Sequence, residues 1–340
     1  MRPRVSVKQV AMEIILSLLL LGAAGASAFA TRAASTPESA VSQWDHYFGV
    51  AISGDRAYVV GSAGVVLTSD DRGRTWNRQI LRRPSDRSEG TASDLCGIAM
   101  APGGQVGWIV GEQGTIFKTI DSGKTWNFQP NPITNRLFSV AALSPTHACT
   151  VGSNGAFSCT TDGKTWSNVA APSDLSYYDI KFQNDRTGLV AGEFETILRT
   201  NDGGRTWQIV RGGKVASAET APYFTVAFLN DHQGIAAGQS GAAVQTSDGG
   251  VTWTDLHLPA QASIYASAQE SGPSSTAGEV LLAGSHGLFL KENGSTKGKA
   301  DHVSLADLTA VAMQEGLGIA VGMNGTVLLS ADGSTWKAVP

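Results

Sequence analysis

The sequence predicts an all-β fold, a seven-bladed β-propeller of four-stranded antiparallel blades with Asp-box turns, and three observations carry that reading. An Asp-box, S/T-x-D-(x)-G-x-T-W, recurs from Ser69 to Trp76, Thr119 to Trp126, Thr200 to Trp207 and Thr246 to Trp253, with shorter forms from Thr160 to Trp166 and Ser330 to Trp336. An apolar run ending in glycine and a turn recurs at Gly61, Gly111, Gly152, Gly192, Gly238, Gly284 and Gly322, a unit of about 40–45 residues. Between these marks lie short runs of β-branched and small apolar residues, and no segment keeps a 3.6-residue apolar period. Short antiparallel strands are expected, and helices should be few.

Residues 1–30 read as a signal peptide. Arg2, Arg4 and Lys8 form a basic start, residues 14–21 an apolar stretch, and Ala28-Phe29-Ala30 an A-x-A cleavage site. Glu13 interrupts the stretch, which is shorter than the ~20 apolar residues of a spanning helix; an uncleaved anchor is the alternative. Residues 31–340 read as one propeller domain. In the first blade the strands fall at 49–53, 57–61, 65–69 and 75–81, and in the third at 138–143, 148–152, 156–159 and 165–169. The sixth unit keeps Gly284 but carries Lys291-Glu-Asn-Gly294 in place of its box. Innermost strands are small and apolar because neighbouring blades cover both faces. Polar stretches at 82–93, 212–221 and 271–278 read as surface loops of one closed domain.

The chain carries 25 basic and 29 acidic residues; without Arg2, Arg4, Lys8 and Glu13 the balance is 22 to 28. That balance speaks against a nucleic-acid partner, because such affinity comes from Lys and Arg on phosphates. It fits an exported monomer of the periplasm or cell envelope. Cys149 and Cys159 flank the turn Gly152-Ser-Asn-Gly155, so they stand opposite, or nearly so, across one hairpin. A disulfide is one reading in an oxidising compartment, and two small buried thiols are the other, since a one-residue register shift would part the side chains. Cys96 has no evident partner. The six histidines lack ligand spacing, and neither a P-loop nor a Gly-x-Ser-x-Gly elbow is present. No catalytic, cofactor-binding or metal residue is assigned, and no cofactor is expected.

The Asp-box sits on the turn from the third to the outer strand. Its Asp accepts from nearby backbone N–H groups, its Gly supplies a positive φ, and its Ser or Thr hydroxyl closes the turn; the Trp anchors the blade's outer edge. Asp71, Asp121, Asp162, Asp202, Asp248 and Asp332 recur around the ring as a structural staple would, whereas catalysis needs a carboxylate at one place. A sevenfold Asp-box propeller with G-x-x-G turns, TxDGGxTW boxes and an N-terminal signal resembles the photosystem II stability/assembly factor family, whose bacterial relatives are also described as BNR-repeat or sialidase-like propellers. The resemblance covers nearly the whole mature chain. It implies a non-enzymatic, exported chaperone or scaffold that docks on a membrane-protein or envelope partner. In a photosynthetic organism that partner would be a photosystem II reaction-centre subunit, and the location the thylakoid lumen. No motif outside the repeat matches position by position, so no contact residue carries over.

A carbohydrate-active propeller, a sialidase- or glycosidase-like enzyme or a glycan-binding protein, is the alternative. The Arg-Ile-Pro start of sialidases is missing, since the first blade reads Phe48-Gly-Val-Ala-Ile-Ser53, and seven blades fit poorly with their six. Glu193 and Glu195 are the close carboxylate pair on a turn. Alternate residues of an extended segment lie ~7 Å apart, a spacing that suits either glycosidase geometry.

Comparing the blades with one another marks where the repeat breaks. One column of the innermost strand holds Ala51, Ala99, Ala141, Ala227, Ala266 and Ala312, but Lys181 in the fourth blade. The turn that reads Gly111-Glu-Gln-Gly114 in the second blade becomes Gly192-Glu-Phe-Glu195 in the fourth. Antiparallel pairing should gather Asp179, Lys181, Glu193 and Glu195 near one channel mouth, with Phe194 as an exposed apolar contact. A lysine among crowded strands is costly unless paired. A local salt bridge filling a gap and a polar binding spot are the two readings. Arg78, Arg82, Arg83 and Arg87 populate the insertion after the first blade, on the same face, and form a second candidate partner surface. Arg74, Lys124, Lys164 and Arg205 form a basic arc on the opposite rim. Solvated surface accounts for the arc and is the alternative for the insertion.

Overall fold

The computed structural model describes residues 40–86, 92–213, 220–270, 278–293 and 300–339. Seven four-stranded antiparallel sheets follow one another, each in sequential strand order. In the first blade the strands are Tyr47–Ser53, Arg56–Gly61, Val65–Ser69 and Asn77–Ile80. The outer strands are shorter than the sequence suggests; in the third blade only Ser167–Asn168 pairs. The box closes on itself and keeps its last residues in the turn. Among the described residues 3-10 turns such as Ser62–Gly64 and Glu112–Gly114 stand where the chain leaves the second strand, and no helix is long and apolar enough to cross a membrane. The signal segment, Arg87, Gly294 and parts of the three polar loops lie outside the described residues.

The second strand of each blade is buried along nearly all its length, and its alternate side chains serve two different interfaces. Val59 packs with Ile319 and Val321 of the last blade, whereas Val60 packs with Ile109 and Phe117 of the second. Apolar clusters of this kind fill all seven interfaces. A Val, Leu or Ile so buried stabilises by about 1.5–3 kcal/mol relative to exposure. A strand with no solvent face needs no polar alternation, hence runs such as Ala57 to Gly61.

No strand is shared between the ends of the chain. The first blade is built from residues 47–80 and the last from 308–338, and the ring closes where their inner strands pack together. Gly325 N–H donates to the Asp45 carbonyl at 2.7 Å, and the Thr309 hydroxyl donates to the Tyr47 carbonyl. In the third blade Cys149 pairs with Cys159 in register, and their sulfurs are bonded at 2.05 Å.

The seven landmark glycines answer to space. A Cβ on Gly61 would stand 2.2 Å from the His46 carbonyl oxygen, one on Gly111 2.1 Å from that of Asp94, and one on Gly152 2.0 Å from that of Arg136. The close approach accompanies a bulge at the start of each inner strand. Tyr47 pairs with Gly61 and Gly49 with Val60, which leaves Phe48 out of the ladder. The same irregularity recurs in the other six blades.

The register also corrects one alignment. Lys181 pairs with Leu189, and its counterparts pair with Tyr58, Trp108, Cys149, Ile235, Leu281 and Ile319. In the sixth blade the residue opposite Leu281 is Ala268, not Ala266. Ala266 pairs with Ala283 and shares the column of Asp179. Ala266 and Ala268, two apart, make the two registers equivalent in sequence.

Candidate binding site at the channel mouth

The bulge decides what faces the central channel, because a residue left out of the ladder has its side chain re-aimed. The seven such residues are Phe48, Cys96, Phe138, Tyr178, Phe224, Tyr265 and Thr309. The five aromatic ones are half-buried and line the channel. Neighbouring rings touch, with centroids 5.5 Å apart for Phe138 and Tyr178, 5.3 Å for Tyr178 and Phe224, and 5.6 Å for Phe224 and Tyr265. The cavity they share with the upper channel wall measures about 120 Å³. That is well below the roughly 300 Å³ of a small-molecule site and suits one inserted side chain or a few waters. Sequence reasoning missed this belt. Its signal was present thirteen or fourteen residues before each landmark glycine in most blades, but a pleated-strand count does not single out a bulged position.

In the second blade the bulged residue is Cys96, and its neighbour is charged. Arg136 Nε donates to Cys96 Sγ at 3.2 Å, while its guanidinium lies 5.7 Å from the Phe138 ring centroid and within 3.6 Å of Glu112 and 3.9 Å of Asp94. Burial pushes the Cys96 thiol up, against the pull of Arg136, which favours the neutral thiol.

One step deeper, Asp179 is 8% exposed and joins blades. Its carboxylate accepts from Ser139 Oγ at 3.0 Å, Thr225 Oγ1 at 3.0 Å and the Val226 N–H at 3.2 Å, and Lys181 Nζ stands 3.4 Å away. The Thr225 and Ser267 hydroxyls meet at 2.6 Å, so four consecutive blades are tied together. A buried carboxylate persists only with such partners. Lys181 is a paired lysine, its side chain 45% exposed.

The structure keeps Asp179 and Lys181 together as an ion pair and separates them from Glu193 and Glu195. Tyr177 pairs with Gly192 beside the turn, but Lys181 pairs with Leu189, ~13 Å further along the strand. It lines the channel cavity beside Asp179 and also a cleft with Phe182, Gln183, Asn230 and Asp231. Glu193 accepts from the Ser176 N–H at 2.9 Å and from the Tyr178 hydroxyl at 3.5 Å. Burial first, and this carboxylate second, push Tyr178 far above the ordinary tyrosine range, so the hydroxyl remains a neutral donor. Glu195 instead pairs with Arg211 at 3.6 Å, which also reaches Asp255 at 3.0 Å and the Tyr223 hydroxyl at 3.3 Å. The two glutamates have different partners.

Phe194 is half-buried, not exposed. It and Glu195 hold left-handed φ values of +52° and +55° in succession, where the other six turns end in glycine at +66° to +78°. A non-glycine residue in this region costs about 1–3 kcal/mol. The reason Glu195 fits at all lies in the next loop. At Gly114 a Cβ would meet the Ile133 carbonyl at 1.8 Å, whereas in blade 4 the glycine has moved across the contact, and a Cβ on Gly212 would stand 2.4 Å from the Glu195 carbonyl.

The arginines after the first blade separate likewise. Arg78 lies on the outer strand, not in the insertion, and binds Asp45 and the Ala40 carbonyl. Arg83 is 7% exposed and pairs with Asp86 at 2.7 Å, which makes it a staple of its loop. Arg82 is exposed. Arg74, Lys124, Lys164 and Arg205 are all exposed on the Asp-box rim. Among the described residues no cluster of His, Cys, Asp or Glu could hold a metal.

A family model described as Photosynthesis system II assembly factor YCF48 matches residues 18–157 and 158–264. Among solved structures the chain is similar to one described as YCF48 bound to D1 peptide, at 17% identity over 85% of this chain and 92% of that one, with a TM-score of 0.67. It is similar also to YCF48 from Cyanidioschyzon merolae, at 18% identity over 86% and 97%, with a TM-score of 0.67. The WD40 propeller domain of Doa1 superposes at 12% identity over 84% and 92%, with a TM-score of 0.61. No curated protein matches the sequence. At these identities the structural likeness speaks for the fold.

Proposed function

Because the chain belongs to the photosynthesis system II assembly factor YCF48 family, we propose that it is a non-catalytic binding and assembly scaffold that docks on a segment of a membrane protein. The family match carries this reading. One similar structure is described as bound to a D1 peptide, which makes a protein segment the partner class. The geometry suits it: a closed ring with a small aromatic mouth offers a surface for a chain, and the mouth is too small for a sugar substrate. The exported protein, its signal at residues 1–30 removed, works as a monomer in the periplasm or envelope, or in the thylakoid lumen of a photosynthetic cell. Its contact residues lie on the side of the Gly-x-x-x turns, with Glu193, Phe194 and Glu195 of blade 4 and Arg82 beside blade 1.

The test is direct. Purified protein is titrated into a labelled D1 peptide and, separately, crosslinked to membranes of its own host, with Arg82→Ala and Lys181→Ala variants alongside. Peptide binding, or a crosslinked membrane protein that weakens in Arg82→Ala, is the expected result. Absence of both would sink the scaffold reading.

A further inference from the structure

We propose that the aromatic channel mouth is a receptor for one cationic side chain, an arginine or lysine carried by an extended segment of the protein partner. The proposal rests on the scaffold reading above and names the chemistry that it requires. The molecule already contains the interaction in miniature. Arg136 lays its guanidinium over Phe138 while Asp94 and Glu112 hold its charge, which is how a cation is bound between an aromatic face and carboxylates. Further round the belt Tyr178, Phe224 and Tyr265 touch in series, and the Glu193 carboxylate accepts from the Tyr178 hydroxyl at 3.5 Å. No cation–π contact covers these three rings among the described residues.

Two further observations agree with one cationic side chain and not with a bulky ligand. The cavity of about 120 Å³ accepts a single side chain. The Asp179 carboxylate in the wall below it is already paired with Lys181, so the two add no net charge to the cavity. Asp307 stands on the same side, its carboxylate accepting the backbone N–H of His286 in the sixth turn. The rest of a bound segment would find apolar footing nearby. Trp44 is 82% and Leu305 95% exposed. Both belong to this side, for Gln43 packs at the turn glycine Gly325 and Ser304 at the turn glycine Gly287.

The experiment uses the purified protein and acetylated, amidated pentapeptides Gly-Ser-X-Ser-Gly, with arginine, lysine, norleucine or glutamate at X, titrated by NMR. The arginine and lysine peptides are expected to bind about tenfold tighter than the norleucine one, to shift tyrosine ring signals, and to weaken several-fold as salt rises. Glu193→Gln and Phe224→Leu should each weaken the arginine peptide about tenfold with little change in melting temperature. Should Phe224→Leu unfold, Glu193→Gln alone decides. Equal binding of norleucine, or wild-type affinity in Glu193→Gln, overturns the proposal. The two readings fail separately. Membrane-protein capture that is intact in Glu193→Gln and Phe224→Leu removes this site and leaves the scaffold, whereas arginine-peptide binding without any capture by wild type removes the scaffold.

Discussion

On the Asp-box side of the ring one turn is built six times over. The Thr75, Thr125, Thr206 and Thr252 hydroxyls each donate to their box carboxylate at 2.6 Å, while the second oxygen accepts backbone N–H groups such as that of Thr75 at 2.9 Å and Thr165 at 2.7 Å. On the opposite side the backbone repeats equally well, but the side chains do not. The bulged residue is Phe, Tyr, Cys or Thr, and the turns read Ser-Ala-Gly, Glu-Gln-Gly or Glu-Phe-Glu. A carboxylate whose hydrogen bonds all close within its own turn has little left for a partner. A surface that varies on a constant backbone can specify one.

The most severe perturbation is at a landmark glycine, on which both sides depend. Gly152→Val should lose about 3 kcal/mol or more, because its Cβ would lie 2.0 Å from the Arg136 carbonyl in a packed interface; urea unfolding measures it. Removing one staple should cost less. Asp202→Ala is expected to lose about 1–2 kcal/mol, as loss of a helix-capping side chain does, with no effect on partner binding; a matching loss of binding would put function on this side.

Acid should attack the same side. The Thr75, Thr125 and Thr252 hydroxyls foremost, then backbone N–H groups, hold Asp71, Asp121 and Asp248 down to about 2 from 3.8. A carboxylate with a lowered folded pKa contributes stability that is fully present above its unfolded value and fades as pH falls. Melting temperature should therefore be flat through the neutral range and drop between about pH 4 and pH 2, and a triple Asp→Asn variant should flatten that drop. An unchanged acid limb in the variant would refute the assignment.

The opposite side should answer with a gain. Glu195→Gly relieves a left-handed φ of +55° and loses one partly exposed ion pair, which contributes little; a net stabilisation of about 1 kcal/mol is expected, with weaker partner binding if blade 4 is part of the contact. At the lower limit, Lys124→Ala on the basic arc should stay within about 0.5 kcal/mol of wild type and leave binding unchanged.

Much of the fold was legible because its signals are local. A box such as Thr200 to Trp207 closes hydrogen bonds within eight residues, so its meaning does not depend on the rest of the chain. The site was less legible. Lys181 stood out correctly as a break in the repeat, yet nothing local says that it points away from the turn of Glu193. Arg83 looked like its neighbour Arg82, and only burial beside Asp86 separates them. The aromatic belt escaped because a bulge, which depends on how two strands approach, decides which side chain turns inward.

By itself, then, the sequence determined the blade count, the strand order and the family, all of which follow from repeated local chemistry at constant spacing. Tertiary structure decided what the ring presents. Closing seven blades around one axis brings Ser139, Asp179 and Thr225 into contact across three of them and sets Tyr178 against Phe224. Those residues are 40 or more positions apart, and their meeting depends on the angle between blades, which no single repeat encodes.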